Sequence, residues 1–126
     1  MKEIFTMKHI NQYHRGAVFY VDFGLPNCSS KQAGVRPCVL ISSEINNRHS
    51  PVVNVLAFTS SPRKQAKLLP VHIRFTAEET GMPRDCICMC EQPMTVSKTE
   101  LQRYVTTLSA EQMERISEGI RLQLSL

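Results

Sequence analysis

The period of the hydrophobic pattern changes once along this chain, and that change limits the folds open to it. Seven short β-prone runs come first, at 17–23, 37–41, 52–58, 71–75, 85–89, 94–96 and 103–107. Val52 to Phe58 is rich in β-branched and aromatic types, while Val71 to Phe75 alternates apolar and polar, the pattern of a half-buried strand. Breakers such as Gly24-Leu25-Pro26-Asn27 and Glu91-Gln92-Pro93 separate neighbouring runs. The period then becomes helical. Ser109-Ala110-Glu111-Gln112 reads as a capping box, Leu108 and Met113 as a hydrophobic staple, and Met113, Ile116, Ile120 and Leu124 as one apolar face. Short strands closed by one amphipathic helix predict a mainly β fold, a strongly curved sheet or small barrel with the helix packed on it. At 126 residues and 42% hydrophobic content, the chain has room for one core and one domain.

Charge is uneven along this scaffold. From Lys31 to Arg74 there are seven basic residues and one acid, a charge of +6; the remainder carries eight bases and ten acids, and the chain as a whole +4. A basic middle is the electrostatic footprint of a phosphate-backbone binder, although on charge alone a solvated Lys/Arg-rich loop is the preferred reading. Two polar stretches, 27–35 and 59–67, read as loops, and loops of that length usually carry function. Ser42-Ser43-Glu44 reads as the cap of a short helical turn.

Other classes are disfavoured. No run reaches the roughly 18 apolar residues of a membrane span, and Met1 to Arg15 lacks an apolar signal-peptide core. The five cysteines are therefore expected to be reduced thiols in a cytoplasm. Cys86, Cys88 and Cys90 share one face of a strand. With Cys28, Cys38, His49 or His72 they could bind zinc, but the spacing is not that of a zinc knuckle and core thiols are the expectation; no metal and no cofactor are expected. His9, His14, His49 and His72 raise a two-histidine ribonuclease reading, and a structural role for each is preferred.

Several motifs occur together in order. Arg15-Gly16 precedes Val18-Phe19-Tyr20-Val21-Asp22-Phe23. Gln32-Ala33-Gly34-Val35-Arg36-Pro37 leads into Val39-Leu40-Ile41-Ser42, and Asn47-Arg48-His49-Ser50-Pro51 follows. Ala57-Phe58-Thr59-Ser60 closes a strand. Leu69-Pro70 with His72, Glu91-Gln92, and Leu108 to Met113 complete the set. From about Arg15 to the end, the chain resembles the MazF/PemK-type toxins, small endoribonucleases of toxin–antitoxin systems, with residues 1–14 as an extension and 15–126 as the domain.

That resemblance implies an SH3-like barrel, usually a homodimer, which cuts single-stranded RNA, mRNA in particular, at short sequences without a metal. The 2′-OH attacks its own phosphate and leaves a 2′,3′-cyclic phosphate and a 5′-OH. It implies Arg36 and Thr59 as the catalytic pair. Around them Ser30, Lys31, Gln32, Arg48, Ser60, Arg63, Lys64 and Lys67 are the expected RNA-binding residues. The implied partners are RNA and a separate antitoxin whose acidic, largely disordered segment lies in the basic groove, with DNA binding only by the toxin–antitoxin complex. Read without the resemblance, Arg36 is a loop anchor and Thr59 an ST-turn at a strand end. Three positions depart from the family pattern. Lys31 stands where many members are acidic, Ala33 replaces a common glycine, and Ala17 replaces an acid after Arg-Gly; a Cβ at 33 restricts positive φ. The alternative reading is a non-catalytic RNA- or protein-binding module on the same barrel. Growth arrest on expression that is lost in Thr59→Ala discriminates against it. Poisoning of a DNA topoisomerase is a third reading, and no apolar tail motif beyond Leu126 supports it.

Overall fold

The computed structural model describes residues 13–25, 34–62, 65 and 67–126. In chain order the elements are β1 (Ala17–Asp22), β2 (Val35–Leu40), α1 (Glu44–His49), β3 (Val52–Thr59), β4 (His72–Phe75), α2 (Ala77–Thr80), β5 (Cys86–Met89), β6 (Met94–Ser97), a 3₁₀ turn (Lys98–Glu100), β7 (Tyr104–Thr107) and α3 (Ala110–Leu124). The seven strands form one antiparallel system in the order β4-β5-β3-β2-β1-β7, with β6 also on β3. This is the mainly β fold with a C-terminal helix expected from the pattern, and it fits the SH3-like small barrel that the resemblance implies.

The eight-residue β3 organises it. One edge pairs with β2, from Cys38 opposite Ala57 to Leu40 opposite Val55. Along the other edge, Val52 to Val55 pair with β6, whereas Phe58 and Thr59 pair with β5. One strand thus hands its second edge from one partner to another. Alternation along β3 feeds two cores. Leu56 and Phe58 join Val18, Val39, Phe75, Cys86, Cys88 and Cys90 under α3. Val53, Val55 and Ala57 join Phe19, Val21, Cys38, Leu40, Val96 and Leu101 on the opposite face.

The helix docks as its sequence indicates. Ser109 caps it, accepting from the N–H of Gln112, while the Gln112 side chain accepts from the N–H of Ser109. Leu108, Met113 and Ile116 are buried, and Ile120 packs against the same cluster. Leu124, expected on that face, is 52% exposed in the last turn. Arg15 ties the start of the chain to the helix, donating to Ile41 O (3.1 Å) and Ser117 Oγ (2.8 Å).

Three local features depart from the sequence reading. Pro62 and Gln65, in a stretch expected to be loop, are helical. The helical segment α2 and the 3₁₀ turn, both unpredicted, each open on a capping box, Thr76 with Glu79 and Ser97 with Glu100. At the other end, Tyr13 packs on Phe19 at 5.6 Å between ring centroids. Residues 1–12 of the expected extension lie outside the described residues.

Gly119 lets α3 approach the sheet. A Cβ there would stand 2.6 Å from Cys90 Sγ and 3.3 Å from both Cys90 Cβ and Ile73 Cδ1. Gly119→Ala should therefore destabilise by about 1–3 kcal/mol of overpacking, against about 1 kcal/mol of gained helix propensity. Thermal unfolding should show a lowered Tm that Cys90→Ala in the same chain partly restores.

Candidate active site

The site lies beyond the paired stretch of β2 and β3. The pairing of β2 with β3 stops at Cys38 opposite Ala57, and Arg36 and Thr59 each lie two residues beyond it. Arg36 is paired with Val21 of β1, and Thr59 with Ile87 of β5. Arg36 and Thr59 thus stand at the same end of the sheet, where β2 and β3 are no longer paired.

A cleft of about 370 Å³ opens there, lined by Arg36 and Thr59 together with Tyr20, Val35, Pro37, Phe58, Ser60, Met82, Pro83, Arg84 and Cys86. Alternation sends Arg36 and Thr59 to one side of the strands and Pro37, Phe58 and Cys86 to the other, so the cleft wraps the sheet's end. Among the described residues its lining holds two arginines and no carboxylate. An anion entering it meets positive charge from those arginines.

Each functional side chain has a local cause. Thr59 is 5% exposed and its Oγ1 accepts from the N–H of Ser61 (3.2 Å). This is the ST-turn that the residue alone suggested, and it leaves the hydroxyl hydrogen to donate. The following loop is fastened back: Gln65 Nε2 donates to Ser60 O (3.1 Å), and Arg74 donates to Gln65 O (2.8 Å). The Cys38 thiol donates to the Arg36 carbonyl (3.6 Å).

Sequence reasoning missed Arg84. It lies outside the basic segment and beside Asp85, so its charge cancels in a linear count. In the fold, Gly81 ends α2 in the left-handed conformation and Asp85 Oδ1 accepts from Ala77 N–H (2.7 Å). Those two contacts turn the intervening Met82-Pro83-Arg84 onto the cleft. The signal available in sequence was the Thr76-x-x-Glu79 capping box followed by Gly81.

The expected RNA-binding residues fall into three groups. Ser60 lines the cleft. Arg48 sits on exposed α1, at the opposite end of the β2–β3 hairpin, some 15–20 Å away for a strand of this length. Lys67 is exposed just after the Ser60 turn. Ser30, Lys31, Gln32, Arg63 and Lys64 lie outside the described residues, as do Ala33 and Cys28. The base of the segment carrying the first three is closed beside the cleft, where Phe23 N–H donates to Gly34 O (2.9 Å) and Gly34 N–H to Gly24 O (2.7 Å).

The histidines do not assemble an acid–base pair among the described residues. His14 contacts Glu44 at the surface, and His49 ends α1. His72 is buried at the start of β4, where its Nδ1 accepts from Leu69 N–H (3.1 Å) and its Nε2 donates to Glu91 (2.8 Å). The pair braces β4 against the turn before β6.

Cys38, Cys86, Cys88 and Cys90 are all buried. The three alternating thiols form one wall of the core under α3, as core residues would. Burial pushes Cys38 and Cys86 up to about 12 and Cys88 upward as well. Iodoacetamide at mildly alkaline pH should leave these three intact in the native protein and modify them in denaturant, read by mass spectrometry. Because the folded thiols hold protons that the unfolded chain loses near its ordinary value of 9.0, stability should fall as pH rises from about 9 to about 12. Cys38→Ala should flatten that fall in alkaline denaturant titrations.

The sequence signature of the PemK-like, MazF-like toxins of type II toxin–antitoxin systems matches residues 14–124. The chain belongs to this family. It is 38% identical over 112 residues to the endoribonuclease EndoA of Bacillus subtilis, covering 89% of this chain and 94% of that one. With the endoribonuclease MazF of Staphylococcus saprophyticus the identity is 33% over 112 residues, covering 89% and 91%. The fold matches MazF of Deinococcus radiodurans with a TM-score of 0.72 at 15% identity, covering 90% of this chain and 96% of the other. It also matches a mycobacterial endoribonuclease solved with its cognate antitoxin, with a TM-score of 0.70 at 22% identity, covering 92% and 96%. At those identities the structural matches speak for the fold alone. No helix among the described residues is long and apolar enough to cross a membrane.

Proposed function

We propose that this chain is a sequence-selective endoribonuclease toxin that cuts single-stranded RNA, mRNA included, without a metal and is neutralised by a cognate antitoxin. The observation that carries the reading is a cleft that Arg36 of β2 and Thr59 of β3 both line, with Arg84 beside them and no acid among the described residues of its lining. The endoribonuclease relatives and the family membership support it.

In the proposed reaction the 2′-oxygen of one nucleotide attacks its 3′-phosphorus and the bond from phosphorus to O5′ of the next nucleotide breaks. The 2′-OH gives up its proton as it attacks, and the departing O5′ takes one. The products are a 2′,3′-cyclic phosphate and a 5′-OH. Negative charge builds on the non-bridging oxygens at the transition state. A guanidinium donating two parallel N–H bonds and a threonine hydroxyl donating one are suited to hold that charge. Arg36 is assigned this electrostatic role rather than that of a base, because guanidinium stays protonated up to a pKa above about 12. Arg84 adds a second cation to the lining of the cleft, suited to hold the RNA backbone there.

The active form in this reading is a homodimer, since a domain this small offers little surface for a deep groove alone. An acidic antitoxin segment would compete with RNA for the arginine-lined cleft. Only the complex with that antitoxin is expected to bind DNA, and the working compartment is the cytoplasm.

With EDTA present, purified protein and a mixed RNA should yield fragments with cyclic phosphate and 5′-OH ends. Arg36→Ala should lower kcat/KM by about 10²–10³-fold, the usual effect of removing one transition-state donor. Thr59→Ala should also lose activity, while Thr59→Ser keeps the donor and most of the rate. Arg84→Ala should weaken binding of RNA more than turnover. Full activity in Arg36→Ala, or products with 5′-phosphate ends, would overturn the mechanism.

A further inference from the structure

A second hollow of about 300 Å³ adjoins the cleft, lined by Tyr20, Val35, Gln102 and Arg103. Tyr20 and Val35 line both spaces, so the two are consecutive parts of one groove. Three observations distinguish it from an ordinary surface dent. The Arg103 guanidinium carbon lies 5.1 Å from the centre of the Tyr20 ring, a cation held against an aromatic surface. The backbone beneath is locked in both directions: Tyr20 N–H donates to Arg103 O (3.1 Å) and Gln102 N–H to Tyr20 O (2.8 Å). Gln102 and Arg103 are themselves exposed, so their side chains are open to a ligand.

We propose that Tyr20 and Arg103 form a stacking platform for one unpaired nucleobase flanking the bond that is cut, and that Gln102 reads that base's edge. The inference rests on the endoribonuclease reading and assigns part of its sequence selectivity. Planar guanidinium and phenol groups give a splayed base the flat, sequence-tolerant surface that single-stranded RNA recognition uses. A neighbouring carboxamide offers both a donor and an acceptor, which distinguishes base edges that stacking alone treats alike. The charge of Arg103 also carries the arginine lining of the groove beyond the cleft, away from Arg84.

Two measurements separate this proposal from the reading it rests on. The first is fluorescence anisotropy with a labelled pool of randomised 2′-O-methyl RNA, which binds but has no 2′-OH to attack. Arg103→Ala and Arg103→Lys should both weaken binding by about 10-fold or more, since lysine keeps the charge but not the plane. The second is sequencing of 5′-OH ends after digestion of a randomised RNA. Gln102→Ala should flatten the base preference at one position beside the cut while preference elsewhere persists. If cleavage is absent but pool binding falls in Arg103→Lys, the platform stands and the nuclease reading falls. If Arg103→Lys binds the pool as wild type does and Gln102→Ala leaves the end profile unchanged, the platform is overturned.

Discussion

Everything at the cleft depends on how β3 shares its edges. On one side the strand pairs with β2 from Val55 to Ala57, and on the other it leaves β6 at Val55 and takes up β5 at Phe58. The two partners share that edge end to end, and Ala57 sits buried at the transition between them. Thr59 is the last residue of the strand after that transition. Thr59 and Arg36 thus both line the cleft at this end of the sheet.

The helix and the short segments hold that arrangement in place. α3 covers the thiol-rich face through Met113 and Ile116, approaching closely at Gly119. It also reaches α2: Gln112 Nε2 donates to Glu79 O (2.8 Å), and Arg115 pairs with the Glu79 carboxylate while its guanidinium lies 4.6 Å from the centre of the Phe75 ring. Those contacts place α2, and α2 with Gly81 places Arg84. A residue on the cleft is therefore positioned by a helix on the far side of the core. The Glu79–Arg115 pair is about a third exposed on each side, so its own contribution to stability is small, and its role is to fix a direction.

Much of this was legible in the sequence. The seven strands, the capped C-terminal helix and the burial of the alternating cysteines follow from period and residue type. What escaped was short or three-dimensional. A four-residue helical segment such as α2 has no periodicity to detect, and its capping box lies between two strands where a turn is the default reading. Leu124 keeps helical spacing, yet the helix runs past the sheet before reaching it, so spacing without a partner buries nothing. Arg36 and Thr59 were legible only through the resemblance. Alone, each had a bland explanation, and for Thr59 that explanation, the ST-turn, is present as well as the placement on the cleft.

The charge pattern shows why linear counting and spatial position diverge. The basic middle of the chain supplies Arg36, but it also supplies Arg48, which the β2–β3 hairpin carries to the opposite end. The other arginines on the groove, Arg84 and Arg103, come from the part of the chain whose net charge is negative. Acids in that part are drawn off into structural bonds: Asp85 caps Ala77, Glu79 is held by Thr76 and Arg115, Glu91 by His72, and Glu100 caps Ser97. Folding thus sorts the charges. Carboxylates are consumed as caps and braces, whereas guanidinium groups that follow them in sequence are left on the groove. The positive face of the domain is a product of secondary-structure capping as much as of composition, since carboxylates held in caps and braces are absent from the described lining of the cleft.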